Sequence, residues 1–287
     1  LPTGAVTLGL IIEADGSVEI AATNDVMLSA AVEEYRYSSR SYSKNWFRKK
    51  RSRHTINSIT HEGAEIAAGG VVNIESQSGD LIMAGSSLES MGGDINISAT
   101  EGDIRAGTFT DTREEYRKTS RSFLFGLISS SSNGYSLYET LTGTSLLADV
   151  DLTVVSGGNT ELVGATLAAG RNLNLNVGGD LIVEAAINSA REEYYESNVG
   201  LIVASTKTEN LHKETPIYTT LSAGGDLSIT VGGETVITEY NYADADAPDL
   251  ATLYPEELLA LTNLVLMDQE LIDEYFYDET KSLSPAF

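Results

Sequence analysis

Cysteine is absent from these 287 residues, which excludes a disulfide framework and any thiolate metal site. The absence suits a reducing cytosol. It equally suits a chain exported unfolded through a narrow pore, where a covalent loop would obstruct passage. Proline is scarce, at 5 residues, and aromatics make up only 7%. No apolar run reaches the ~20 residues of a membrane-spanning helix. Basic residues are few: 18 Lys and Arg against 42 Asp and Glu give a formal charge of -24. That balance disfavours nucleic acid as a partner. The few cations are unevenly spread. Residues 36–53 hold eight of the 18 with no acid among them, and residues 214–280 hold none.

The chain has instead 26 glycines and a 41% hydrophobic content. That mix suits many short strands joined by tight turns. The opening residues already carry a strand-like pattern, so the sequence reads as an excised part of something longer.

Internal repetition dominates the pattern. Val72-Asn73-Ile74 recurs as Ile95-Asn96-Ile97, and Leu152-Thr153-Val154 recurs as Leu173-Asn174-Leu175. Val18-Glu19-Ile20 and Leu227-Ser228-Ile229 are further copies. Each is apolar, polar, apolar, the period-two mark of a strand with one buried face. A second run follows eight to ten residues later, as in Leu81-Ile82-Met83 and Leu181-Ile182-Val183. Between them lie turns such as Ser78-Gly79-Asp80 and Gly178-Gly179-Asp180. In these, Gly is expected to supply positive φ, and Asp to bond its own backbone two residues on. A third apolar position precedes the first run, at Ile66, Leu88, Leu147, Leu167 and Leu221. Three short strands per 21–23 residues predict an all-β, right-handed parallel β-helix of about seven coils.

A longer period overlies the short one. Glu33-Glu34-Tyr35 recurs as Glu114-Glu115-Tyr116 and Glu192-Glu193-Tyr194, at spacings of 81 and 78. After each, the coil pattern stops for about 30 residues and resumes at a third-strand position. This predicts hairpin-like insertions at about 36–65, 117–146 and 195–220, all leaving one corner of a shaft spanning residues 1–240. Their expected separation is about three coils, or ~14 Å. In the second insert, Asn133-Gly134 marks the expected turn. Residues 241–287 form a separate expected unit: a linker, a helix over 255–276 opened by Pro255, and the start of a further insert at Glu274-Tyr275.

The Gly-Gly-Asp turns, the ~20-residue coils and the Glu-Glu-Tyr openings before basic or aromatic inserts resemble the haemagglutinin repeat region of filamentous-haemagglutinin-like exoproteins. These comprise two-partner secretion adhesins and contact-dependent growth inhibition effectors. The stretch 55–70 is especially similar. The resemblance implies a right-handed β-helix, export through an outer-membrane transporter barrel, and a filament at the bacterial surface. In the growth-inhibition members it implies a part in delivering a toxin to the target cell. The acidity of this chain departs from a generic heparin-type adhesin.

The run Trp46, Phe47, Arg48, Lys49, Lys50, Arg51 and Arg53 is the candidate binding site, for a cell surface bearing anionic glycan or lipid. A solvated loop balancing an acidic shaft explains the same residues. The apolar runs at 123–128 and 199–204 suggest membrane insertion. An enzyme is not expected, although a β-helical polysaccharide lyase or hydrolase is the rival class. Asp80, Asp94, Asp103, Asp180 and Asp226 read as turn residues, and adjacent Glu pairs point to opposite faces of a strand. His54, His61 and His212 match no metal-site spacing and read as loop residues. No metal and no cofactor is expected.

Overall fold

The structure is a computed structural model that describes residues 6–8 and 11–238, with side chains from residue 11 onward. The linker, the helix over 255–276 and the further insert expected at 274 lie outside the described residues.

After β1 (Val6–Leu8), the chain winds six coils of three strands. The first is β2 (Ile11–Ala14), β3 (Val18–Ala22) and β4 (Val26–Leu28), followed by a hairpin, β5 (Ala31–Lys44) and β6 (Arg48–Glu62). Two coils follow: β7 (Glu65–Ala68), β8 (Val72–Ser76) and β9 (Leu81–Ala84), then β10 (Ser87–Ser90), β11 (Ile95–Ala99) and β12 (Ile104–Phe123). The 20-residue β12 starts in the shaft and runs out into the second hairpin, which returns as β13 (Ile128–Gly143). Two more coils are β14 (Ser145–Ala148), β15 (Leu152–Ser156), β16 (Thr160–Val163), β17 (Thr166–Ala169), β18 (Leu173–Val177) and β19 (Leu181–Glu184). The third hairpin is β20 (Ala186–Val199) and β21 (Ala204–Ile217), and the last coil is β22 (Thr220–Ala223), β23 (Leu227–Val231) and β24 (Thr235–Thr238).

Equivalent strands pair in parallel, in register, into three faces. One runs β2-β7-β10-β14-β17-β22 and another β3-β8-β11-β15-β18-β23. The third joins β1, β4, β9, the start of β12, β16, β19 and β24. Register is fixed because a one-residue slip would turn every buried residue to water. Ile66, Leu88, Leu146 and Leu167 therefore stack, as do Ile74, Ile97, Val154 and Leu175, all buried. The stacked residue at the fourth coil is Leu146. Leu147, the expected position, points outward, because Leu146-Leu147 offers two apolar candidates and only the register chooses.

The turns work differently from the expectation. Among the described residues no glycine of the coils' Gly-Asp turns has positive φ. A Cβ on Gly102 would lie 2.1 Å from the Gly79 carbonyl oxygen, and one on Gly178 would lie 2.3 Å from that of Gly157. Glycine is needed there because the preceding coil's backbone presses directly on it. The acidic residue also bonds across coils rather than within its turn. Asp25, Asp80, Asp103, Asn159 and Asp180 each accept, at 2.7–2.9 Å, from the backbone N–H of the equivalent residue one coil on. A second ladder runs through Asp94, Asp151 and Asn172. These side chains satisfy turn amides that the parallel sheets do not reach.

Positive φ occurs instead at the corner between β9 and β10 (Gly85, φ 55) and between β16 and β17 (Gly164, φ 57). These are the coils without insertions. At this corner the chain either makes a left-handed glycine turn or departs as a hairpin, and the two choices alternate. Phe109 is not a third coil strand, as its apolar character suggests. It opens the second hairpin and packs over Gly85, and His61 stacks on it at 5.2 Å.

Candidate functional site: the wing and its tips

Successive hairpins leave the shaft two coils apart, not three. Two coils rise two strand spacings, ~9.6 Å at ~4.8 Å each. A hairpin also occupies two strand spacings. The rise of the shaft therefore matches the width of each insertion, and the three hairpins fuse into one antiparallel sheet. Its order is β5-β6-β12-β13-β20-β21, with β6 pairing β12 and β13 pairing β20 across hairpins. This wing consists of strands of 14 residues or more, long enough to reach ~45 Å from the shaft. The hairpins begin at Ala31, about Thr108 and Ala186, earlier than the insert bounds expected from the break in the coil pattern.

The turns lie elsewhere than expected. Asn133 and Gly134 sit in the middle of β13, opposite Lys118 and Arg117. The second turn is Leu124–Gly126, with Leu124 (φ 52), Phe125 (φ 56) and Gly126 (φ 96) all left-handed. Two non-glycine residues in that region carry backbone strain. The third turn lies between Val199 and Ala204 and holds Leu201, Ile202 and Val203. The first holds Asn45 and Trp46, where the Asn45 carboxamide oxygen accepts from the backbone N–H groups of Phe47 and Arg48. Each turn displays bulky apolar side chains to solvent: Trp46 is 77% exposed, Phe125 71% and Ile202 95%. Phe47, Phe123, Leu127, Leu201 and Val203 are exposed beside them. The first two tips touch: Trp46 stacks on Phe47 at 4.9 Å, Phe47 meets Phe125 edge-on, and the Leu124 N–H donates to the Phe47 carbonyl.

Strand alternation divides the expected basic site. Arg48 and Lys50 point to one face, with Arg121 opposite Lys50. Lys49, Arg51 and Arg53 point to the other. There Arg40, Arg53 and Lys118 lie in one cross-strand row on β5, β6 and β12. Burial, then the Arg53 charge, pushes the Lys118 amine below its usual pKa, and burial pushes the Tyr116 hydroxyl up. The Arg51 guanidinium lies 5.1 Å from the centre of the Tyr42 ring. Lys118 and Arg121 lie far along the chain from the basic stretch 36–53, and Arg40 lies within that stretch but before the run at 46–53. Only the pairing of β5, β6 and β12 brings them to it.

The opposite face carries a shallow groove of ≈ 510 Å³, lined by Glu115, Arg117, Gly134, Tyr138, Glu192 and Tyr194 among others. Its carboxylates are engaged. Burial raises the Glu115 pKa, but bonds from Arg117 and His54 outweigh this and hold it below the usual range. Glu192 accepts from the Tyr138 hydroxyl. The adjacent Glu114 faces the other side and accepts from the Asn57 amide. The histidines are strand residues rather than loop residues: His54 faces Glu115, His61 faces Asp111 and His212 faces Glu214. Among the described residues no group of three or more His, Asp or Glu is placed to hold a metal ion.

The family model described as hemagglutinin repeat matches residues 46–201. The chain belongs to this family of filamentous-haemagglutinin-like exoproteins. It is similar to the 16S rRNA endonuclease CdiA of Enterobacter cloacae subsp. cloacae, 30% identical over 207 residues, 65% of this chain and 6% of the relative. It is similar also to the tRNA nuclease CdiA of Escherichia coli (strain STEC_O31), at 27% identity over 69% of this chain and 6% of that protein. The Hemolysin of Serratia marcescens is 27% identical over 45% of this chain and 8% of its own length. The chain thus spans a small fraction of the relatives it matches. No solved structure matches it. The haemagglutinin-repeat match begins within the first tip and ends within the third, so it contains the two complete coil pairs that set the spacing of the hairpins.

Proposed function

We propose that this haemagglutinin-repeat segment is a secreted structural shaft whose wing makes contact with a cell surface through its tips. The observation that carries the reading is the row of exposed apolar residues on all three turns, held at the far margin of the wing. Water-exposed Trp, Phe and Ile at three successive tips are costly unless something covers them. Apolar side chains with cations behind them suit an anionic interface, where the rings enter the headgroup layer and Lys and Arg meet phosphate or carboxylate. The family supports export and an extracellular location, with an outer-membrane transporter barrel as the partner in export.

The nuclease names of two relatives favour a more specific reading. In it, the segment belongs to a toxin carrier and its wing engages the outer membrane of the target cell. The segment itself is read as non-enzymatic. Its groove offers no uncommitted acid and base facing each other, since Glu115 is held by Arg117 and His54, and Glu192 by Tyr138. A cleavage product from an acidic glycan, lost on Glu192→Gln, would overturn that part.

The test replaces Trp46, Phe125 and Ile202 by Ser. These side chains touch solvent, so the shaft should keep its circular dichroism and its Tm. Binding to bacterial cells, and to vesicles carrying lipopolysaccharide, should fall at least tenfold. Unchanged binding would refute the tip reading. Retained binding to purified glycan with loss on vesicles would favour the membrane over the glycan as the surface met.

A further inference from the structure

Gly134 is a glycine that neither conformation nor packing requires. It lies in the interior of β13, and its φ is not positive. A Cβ built there would meet only the Tyr194 ring, at 4.0 Å, which is ordinary contact. The turn glycines differ, since a Cβ on Gly102 or Gly178 runs into backbone. Interior glycine weakens a strand, and it often marks a place that a ligand or another backbone approaches closely. Among the described residues no other backbone comes within 4 Å of that Cβ, and Gly134 lines the ≈ 510 Å³ groove. We propose that this groove is a binding site for a neutral saccharide, with one pyranose ring seated over Gly134 against the Tyr194 ring.

The lining selects that class of ligand. Arg117 and Tyr194 flank Gly134 on β12 and β20, and Glu115, Ser136 and Glu192 form the next row toward the shaft. An anion would meet the carboxylates of Glu115, Glu192 and Glu209. A cation would meet Arg117, and it would find Glu115 already paired with Arg113 and Arg117, and Glu209 with Lys207 at 2.7 Å. A neutral polyol avoids both conflicts, because each hydroxyl donates and accepts. Donors and acceptors for it stand side by side. Arg117 gives its Nε–H to Glu115, one of the five N–H groups of a guanidinium. Glu192 accepts from the Tyr138 hydroxyl, and a carboxylate has about four acceptor sites. The Tyr194 hydroxyl donates to Glu196 at 2.8 Å, which fixes the ring beside the notch. Its apolar body suits the C–H face of a pyranose. These mutual bonds hold the lining in place before a ligand arrives, so little ordering is lost on binding. The volume falls within the ~300–1,000 Å³ of small-molecule sites.

The groove is separate from the surfaces invoked above. It lies on the face opposite Lys49, Arg51 and Arg53, and Gly134 is six residues along β13 from Ile128, about 20 Å back from the tip. With the tips in a headgroup layer, saccharide chains standing out from the cell surface would run along the wing at this height. Only that source of the ligand rests on the proposed function. Binding of a free saccharide does not.

Saturation-transfer NMR on the full chain tests this, with free neutral, cationic and anionic oligosaccharides as probes at millimolar concentration. The expected result is transfer to a neutral probe, strongest at the protons of one ring face. Gly134→Val fills the notch with a residue that suits a strand, so affinity should fall at least tenfold while the Tm is kept or raised. Gly134→Ala adds a Cβ in ordinary contact only, so it should fold as the native chain does and still bind severalfold more weakly. Tyr194→Ser should lose binding, and Tyr194→Phe should keep most of it. Three results overturn the proposal: no transfer to any neutral probe, a preference for an anionic or cationic one, or native affinity in both Gly134 variants. The variant with Ser at all three tips should bind free saccharide as the native chain does, so the inference and the proposed function can fail separately.

Discussion

At the scale of single residues, glycine and aspartate do different work from that of ordinary turns. In the Gly-Asp turns of the coils glycine is selected by the backbone stacked against it, so Gly102→Ala forces a Cβ into the Gly79 carbonyl. The expected cost is that of overpacking, about 1–3 kcal/mol, read as a lower denaturation midpoint. Gly85 is selected by conformation, and Gly85→Ala should lose about 1–2 kcal/mol for its left-handed backbone, plus a clash with the Phe109 ring. In a Phe109→Ala background, the same Gly85→Ala change should cost only the backbone component. The acceptor ladders make a second prediction. The Arg171 guanidinium and the Asn172 N–H hold the Asp151 carboxylate well below its usual range, at about 2. Because the pKa is depressed in the folded state, the contribution of this group is present above the ordinary carboxylate range and lost as pH falls through about 2. An NMR titration of the Asp151 carboxyl should show a midpoint near 2, and Arg171→Gln should move it back toward the ordinary range.

At the scale of elements, the shaft and the wing obey one spacing, which a deletion can break. Removing residues 145–165 excises one coil and joins Thr144 to Thr166, which occupies the register position of Ser145. The shaft should re-form, since each coil contacts only its neighbours. The third hairpin would then leave one coil after the second, where β13 already fills the space. Its pairing with β20 should be lost, so limited proteolysis should cut β20 and β21 while sparing the coils. A variant lacking 145–185, both coils with the turn between them, would bring the second and third hairpins to a single exit and should also fail to form the wing. The same contrast explains what could be read in advance. Coil strands have one dry face, so Val72-Asn73-Ile74 and its copies announce themselves by alternation. The wing is a single layer wetted on both sides. β5, with Glu33, Tyr35, Arg36, Ser38 and Arg40 all in one strand, has no apolar period to display. The tips misled in the opposite sense. Phe123, Leu124 and Phe125 look like a buried strand but form a turn, and Asn133-Gly134 looks like a turn but lies mid-strand, because neighbouring strands rather than local propensity decide. The basic run was visible, but its partition between two faces and its union with Arg40 and Lys118 depend on cross-strand register.

At the scale of the whole molecule, the distribution of charge separates two tasks. The chain carries a formal charge of -24, yet Arg40, Lys49, Arg51, Arg53 and Lys118 are gathered on one face of the wing, next to the apolar tips. An acidic shaft keeps filaments apart in solution and repels an anionic cell surface at long range. A cationic wing face reverses that repulsion locally, within the ~8 Å screening length of physiological salt. If both the tips and this face meet the surface, their removal should leave different signatures. Neutralising Arg51, Arg53 and Lys118 as Gln should weaken binding to anionic vesicles by roughly two orders of magnitude at low salt, at about 1 kcal/mol for each cation near the surface. The remaining binding should depend less on ionic strength. The tip variant should instead lower binding to anionic and neutral vesicles alike, with its salt dependence intact. A Gln variant that binds anionic vesicles as the native chain does would remove the cationic face from the contact. It would leave these residues the role of balancing the acidic shaft, with the apolar tips alone at the surface.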